Sequence, residues 1–197
     1  MSSLALFDFD GTVTTRDTFL EFIKFYRGNW RFWLGMLSIS PWLVGLKLKA
    51  IPNQKVKEKA LLTFFKNEPI AEFDRLAALF CEQKVPQLIK ADALSRIQWH
   101  KSQGHRVIIV SASLENWIEP WANKQGIEVI ASIPEINEGK ISGKLIGKNC
   151  HGEEKTCRVR EKVSLTDYQS VYAYGDTSGD KEMLQMADHP HYRHFKG

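Results

Sequence analysis

Asp8 and Asp10 stand two residues apart in the stretch Asp8-Phe9-Asp10-Gly11-Thr12-Val13-Thr14, directly after the apolar run Leu4-Ala5-Leu6-Phe7. A short apolar run bounded by a Gly turn predicts a buried strand. Residues two apart on a strand point the same way. The two carboxylates would then share one side at the strand's carboxyl end, where open parallel sheets bind their ligands. Like charges that close repel unless a cation or a shared proton offsets them. The stretch therefore predicts a magnesium-assisted site built around an aspartate nucleophile. The plainer alternative is a strand that ends in a polar turn.

Two other apolar runs end in the same kind of punctuation. Val107-Ile108-Ile109-Val110 leads into Ser111-Ala112-Ser113, and Val171-Tyr172-Ala173-Tyr174 leads into Gly175-Asp176-Thr177-Ser178-Gly179-Asp180. In a parallel sheet these ends meet on one edge, so Asp8, Asp10, Asp176, Asp180, Ser111 and Ser113 would converge from distant parts of the chain. Hydrolysis of a phosphate monoester asks for such a set. A nucleophile attacks phosphorus in line, an acid protonates the leaving oxygen, and cations balance the phosphoryl oxygens. Magnesium takes oxygen ligands and keeps waters while it binds phosphate. The region of Lys155, ahead of the last apolar run, offers a protein cation, with Lys148 and Lys162 as rivals. Ser111 and Ser113 can instead cap the following helix, the role expected of Ser113. Asp180 can also serve as a first-turn charge favoured by the helix dipole.

The elements that must position these groups alternate. Val129-Ile130-Ala131 is a further strand, and Lys140–Leu145, among Gly139, Gly143 and Gly147, a hairpin excursion. Helical spacing runs over residues 17–26, ended by Gly28-Asn29, and over 55–66, 72–83, 88–103, 114–125 and 181–187. Thr18 and Glu21 have capping-box spacing, and Pro120 should kink or restart its helix. Strands alternating with helices imply an α/β fold with a parallel sheet and right-handed crossovers. The helical block 15–85 interrupts that alternation and predicts a cap inserted after the first strand. The catalytic core would be residues 1–14 and 86–197.

A chain of 197 residues with 43% hydrophobic residues suits one domain with a modest insertion. The net charge of +4 is too mild to imply nucleic acid; the run Lys55, Lys57 and Lys59 could face a phosphate, but a solvated helix face is the expected reading. Three cysteines, Cys81, Cys150 and Cys157, with no visible signal segment, imply reduced thiols and a cytoplasmic home. Cys150-His151 with Cys157 lacks the close pairs of a zinc site. His189, His191 and His194 read as surface residues. The apolar stretch Phe32–Leu48 is short for a bilayer span, and Pro41 should break it near its middle. Trp30, Trp33 and Trp42 would pack the cap or a dimer contact. The aromatic and basic mix would also suit shallow contact with a membrane surface.

With these motifs in order, the chain resembles a haloacid-dehalogenase superfamily phosphatase of the phosphoserine-phosphatase-like subfamily (IB). Residues 8–14 match its first motif, Val110-Ser111-Ala112-Ser113 its second, Cys150-His151-Gly152-Glu153-Glu154-Lys155 its lysine motif, and Gly175 to Asp180 its acidic motif. The resemblance implies a Rossmann-like three-layer fold and a magnesium-dependent reaction through an aspartyl-phosphate. Asp8 would be the nucleophile, and Asp10 the acid that later activates water. Ser111 and Lys155 would hold the phosphoryl group beside Gly11, Thr12 and Ala112. Asp8, the Asp10 carbonyl, Asp176 and Asp180 would hold magnesium or support its shell.

The chain departs from phosphoserine phosphatases at several points. Their substrate-amine glutamate is matched here by Asp17, and their cap arginine has only the unplaced candidates Arg27, Arg31 and Arg75. Gly179 stands where they have Asn. A phosphatidylglycerophosphate phosphatase branch of the superfamily also carries a strongly apolar cap. The expected substrate is therefore a phosphorylated small molecule or a lipid phosphate. Phosphoserine itself, or a non-catalytic phosphate-binding module, are the alternatives.

Overall fold

The computed structural model describes residues 2–196. Five strands form one parallel sheet: β1 (Leu4–Phe7), β2 (Arg106–Leu114), β3 (Glu128–Ser132), β6 (Val171–Gly175) and β7 (His189–Tyr192), in the order β3-β2-β1-β6-β7. β1 lies in the centre, paired with β2 on one side and β6 on the other. Burial on both faces explains why its four residues are all apolar. Ala5 and Phe7 face one core, and Leu4 and Leu6 the other. The first core is covered by α5 (Ala91–Ser102) and α6 (Glu115–Gln125), the second by α7 (Glu153–Lys162) and α8 (Lys181–Gln185). The result is the expected three-layer α/β arrangement.

β7 lies in the tail beyond the last expected helix. Its histidines are strand residues stacked on the neighbouring strand: His189 over Tyr172 and His191 over Tyr174, with ring centroids 4.5 and 4.6 Å apart. The hairpin excursion is β4 (Pro134–Asn137) paired with β5 (Lys140–Leu145). The region 88–103 is not one helix. A short α4 (Val85–Leu88) precedes α5, and Ile89 between them bridges to Thr14. Pro120 is accommodated inside α6 without a break.

Between β1 and α4 the chain forms three long helices: α1 (Thr18–Lys47), α2 (Asn53–Phe65) and α3 (Ile70–Gln83). α1 is bent at Gly28, whose φ of 76° and ψ of 162° lie outside the helical region and suit a residue without Cβ. The helix then resumes instead of ending there. Pro41 does not break it. Its missing N–H leaves the Leu37 carbonyl without its usual partner, and the Ser40 hydroxyl donates to that carbonyl at 2.8 Å. The N-cap of α1 is Asp17, whose Oδ1 accepts from the Leu20 N–H at 3.0 Å, so the expected Thr18–Glu21 box is not formed. Thr18 is turned instead toward the first motif.

The helical block shares one apolar core with α6. Phe22 lies against Trp117, 4.6 Å between centroids, and against Phe65, Phe73 and Phe80. The outer face of α1 is different. Trp30 and Trp33 are 76% and 66% exposed, and Leu34, Leu37, Val44 and Leu48 continue the same helical stripe. Packing inside the helical block, one of the two roles expected for Trp30 and Trp33, is therefore not what they do. Among the described residues, no helix is long and apolar enough to cross a membrane.

Candidate active site

The carboxyl ends of β1, β2 and β6 open into a cavity of about 550 Å³, roofed by α1 and α2. Asp8 and Asp10 enter it from the turn after β1, which is wound tightly around Gly11. Gly11 has φ of 80°, and a Cβ there would come within 2.5 Å of Asp176 Oδ2. Both constraints require glycine. The neighbouring Thr12 hydroxyl donates to Asp176 Oδ1 at 2.9 Å and ties the first motif to the acidic motif.

Lys155, from the first turns of α7, is buried and donates to Asp8 Oδ1 and to Asp180 Oδ1, each at 2.6 Å. Lys148 is exposed, and Lys162 pairs with Glu128 at 3.2 Å; neither lines the cavity. Burial pushes the Asp8 carboxyl up to about 7. Lys155 opposes that rise, and Asp180 and Asp10 add to it. Burial also works against the Lys155 charge, but the two carboxylates outweigh it and hold its pKa above the ordinary lysine value. For Asp180, burial acts upward, yet Lys155 and Thr177 bring the carboxyl below its usual range. Burial, only partly offset by the Thr12 hydrogen bond, raises Asp176.

Asp180 also closes a capping box. Its Oδ2 accepts from the Thr177 N–H and hydroxyl at 3.0 and 2.9 Å, so its structural and site roles coincide. Among the described residues, the one group of His, Cys, Asp or Glu at metal-ligand spacing is Asp8, Asp176 and Asp180, with one oxygen each within 4.8 Å of one another. Asp180 already spends both oxygens. Asp8 Oδ2 and Asp176 Oδ2 accept no hydrogen bond from a described residue. Two such oxygens among three carboxylates fit a hard divalent cation. Cys150 and Cys81 are buried and Cys157 exposed, all as free thiols outside that group.

The Asp10 carboxylate points elsewhere. Its Oδ1 accepts from the Thr18 N–H and hydroxyl at 2.7 and 2.6 Å, and its Oδ2 from the Ser113 hydroxyl at 2.5 Å. This corrects the expectation for Ser113. β2 runs on through Leu114, and α6 has no side-chain cap, so the Ser113 hydroxyl is free to face Asp10. Ser111 is fully buried, and its Oγ accepts from the Ser113 N–H at 3.0 Å. Ala112 and Ser113 line the cavity; Ser111 and Thr12 do not.

Three further residues line the cavity or lie beside it. Lys57 points in from α2, donates to the Ala112 carbonyl at 2.9 Å and lies 4.1 Å above the Phe19 ring. Burial lowers its pKa, against the pull of Asp17 and Asp10. It is not the solvated charge its neighbours Lys55 and Lys59 suggested. The signal was present: Lys57 falls at i−3, i−4 and i−7 from the apolar Ala60, Leu61 and Phe64, inside the buried stripe. His151 also lines the cavity, and its ring fills the space a side chain at position 179 would need, which accounts for Gly179. Asn149, buried beside them, donates to Asn53 Oδ1 of α2 at 2.5 Å. Asp17 lies in the cavity too, whereas none of Arg27, Arg31 and Arg75 lines it. Arg27 pairs with Glu68 at 2.5 Å and Arg75 with Glu72 at 2.7 Å.

The chain is similar along 98% of its length to CicA of Caulobacter vibrioides, 36% identical over 197 residues and covering 87% of that protein. It is 28% identical over 191 residues to a probable phosphatase of Mycobacterium tuberculosis, covering 94% of this chain and 66% of that protein. An apo phosphoserine phosphatase structure superposes with a TM-score of 0.68 at 18% identity, over 95% of this chain and 84% of the other. The family model described as haloacid dehalogenase-like hydrolase matches residues 5–185. With four motifs gathered at one sheet edge and a family match over nearly its whole length, the chain belongs to the haloacid dehalogenase-like hydrolase family.

Proposed function

We propose that the chain is a magnesium-dependent phosphomonoester hydrolase that works through an aspartyl-phosphate on Asp8. The observation that carries this reading is the division of labour between its two first-motif carboxylates. Asp8 is held by Lys155 and stands beside Asp176, while Asp10 is held away from that cluster by Thr18 and Ser113. This division suits one carboxylate to attack and the other to move a proton.

In the first step an Asp8 oxygen bonds to phosphorus, the bond from phosphorus to the ester oxygen breaks, and the proton of Asp10 goes to that oxygen. The alcohol leaves. In the second step Asp10 takes a proton from water, the water oxygen bonds to phosphorus, and the bond to Asp8 breaks, releasing phosphate. Ser113 suits both steps, because a hydroxyl can donate to the Asp10 carboxylate or accept from the Asp10 acid. Lys155 offsets charge on Asp8 and the phosphoryl group. Magnesium, held by Asp8 and Asp176 with Asp180 and the Asp10 carbonyl in support, would supply charge balance and help keep Asp8 ionised at neutral pH. Asp8→Asn should abolish magnesium-dependent phosphate release from an aryl phosphate while leaving the circular dichroism spectrum intact. Full activity in that variant would falsify the nucleophile assignment. Release by the wild type that EDTA does not stop would overturn the metal assignment, and no release across a broad ester panel would favour a non-catalytic phosphate-binding module.

For the substrate, the favoured reading is a phosphate ester of an apolar alcohol, a lipid phosphate being the extreme case. Met36, Ile39 and Leu43, one face of α1, line the cavity above the carboxylates. The outward face begins with Trp30 and Trp33 beside Arg31 in the chain and ends at Leu48 between Lys47 and Lys49. Such a face suits shallow contact with an anionic membrane surface, from which an apolar ester could be drawn. Phosphoserine is less well served, since none of the three arginines considered for its carboxylate lines the cavity.

A further inference from the structure

The cavity is rich in negative charge. Asp8, Asp10, Asp17, Asp176 and Asp180 all face it. A phosphate ester is itself anionic, so its binding depends on the cations still available to it. Lys155 is not fully available, because it already donates to two carboxylates at 2.6 Å. Arg16 lies at the rim, 67% exposed and 3.8 Å from Glu21. Lys57 is different. It has no carboxylate within ion-pair distance among the described residues, and its one acceptor is the neutral Ala112 carbonyl at 2.9 Å.

An ammonium carries three N–H donors, so two donors of Lys57 remain unspent. The Phe19 ring beneath it stabilises the cation without consuming a donor. Its position is informative too. Ala112 precedes Ser113, whose hydroxyl is 2.5 Å from Asp10 Oδ2. Lys57 therefore stands over the strand end where Asp10 would meet the ester oxygen.

We propose that Lys57 is a substrate-binding residue, a cation lent by α2 that grips the phosphoryl group from the roof of the cavity while Lys155 holds it from α7. The proposal rests on the phosphatase reading. It also gives α2 a reason to be fixed over the sheet: bound phosphate adds to the Lys57 hydrogen bond an attraction between opposite charges that the neutral carbonyl lacks.

The test uses the whole protein with magnesium and inorganic phosphate as the probe, measured by calorimetry. Lys57→Met should weaken phosphate binding about tenfold or more, the loss of one hydrogen bond between charged groups. Lys57→Arg should restore most of that loss, and Lys55→Met, which removes the same charge from the exposed side of α2, should leave affinity unchanged. In steady state, Lys57→Met should raise KM for a small aryl phosphate more than it lowers kcat. In the unmodified protein, the Lys57 Nζ resonance should move on phosphate addition, a readout that does not depend on any variant folding. Equal phosphate affinity in wild type and Lys57→Met, or a lower melting temperature with affinity unchanged, would overturn the proposal and leave Lys57 as an anchor for α2. A wild type that neither binds nor releases phosphate would instead overturn the phosphatase reading itself.

Discussion

Ser113 and Asp10, 103 residues apart, share a 2.5 Å hydrogen bond across the mouths of two neighbouring strands. With Thr18 on the other oxygen, both sides of the Asp10 carboxylate are held. Removing a hydrogen bond to a charged group costs about 1.5–3 kcal/mol. Ser113→Ala should therefore lower kcat for an aryl phosphate by roughly ten- to a hundredfold, with KM little changed. A change in KM alone, with kcat unmoved, would argue against a proton-transfer role for Asp10.

Asp8 makes the metal-free protein sensitive to pH. Its carboxyl is raised from 3.8 to about 7, chiefly by burial. A raised acid adds stability while protonated; that gain is complete below the unfolded value and lost as pH rises through about 7. With metal removed, the melting temperature of the wild type should fall between about pH 4 and pH 7 relative to Asp8→Asn. Magnesium should restore the wild type at the upper end and do less for the variant. A wild type and variant that track each other across that range would exclude Asp8 as the source.

The apolar wall of the cavity predicts a selectivity. Met36→Asn or Leu43→Asn should cut activity on a long-chain alkyl phosphate about tenfold more than on an aryl phosphate, given the ~1.5–3 kcal/mol of burying one such side chain. The paired change of Trp30 and Trp33 to Ala should abolish co-sedimentation with anionic vesicles and spare aryl phosphate turnover. Parallel losses on both substrates in the Met36 and Leu43 variants would reduce these residues to packing.

His100 predicts a second pH effect, remote from the site. Its buried ring contacts Tyr174 OH at 3.0 Å and His105 Nδ1 at 2.8 Å. Burial, with His105 and Arg96 nearby, lowers its pKa to about 3. A depressed histidine contributes stability that is present above its unfolded value of 6.5 and lost as pH falls toward that folded value. Denaturant midpoints should therefore drop on acidification below neutrality. His100→Phe, though less stable at neutral pH, should show a shallower drop. An equal slope in both proteins would assign the acid sensitivity elsewhere.

Order along the chain was enough to identify the central sheet and the acidic centre. Period and punctuation survive without knowledge of distant partners. A four-residue apolar run such as Leu4–Phe7 has few places to go other than the middle of a parallel sheet. An Asp-x-Asp-Gly turn at its end has one edge on which to open. The carboxylates were legible for that reason, whereas Lys155 had Lys148 and Lys162 as rivals until the resemblance and then the packing of α7 singled it out. What stayed hidden were choices between partners of similar local merit. Thr18 and Ser113 both have the chemistry of a helix cap, yet each turns to Asp10, because the carboxylate lies within 2.6 Å only once β1, β2 and α1 have docked. Pro41 looked like a break, and a single hydroxyl from Ser40 was enough to carry the helix past it. Lys57 stood among three lysines of one helix, and only the seating of α2 over β2 decides which of them meets the cavity. Local sequence sets which groups a residue can satisfy. Packing sets which of them is near enough, and dry enough, to be worth satisfying.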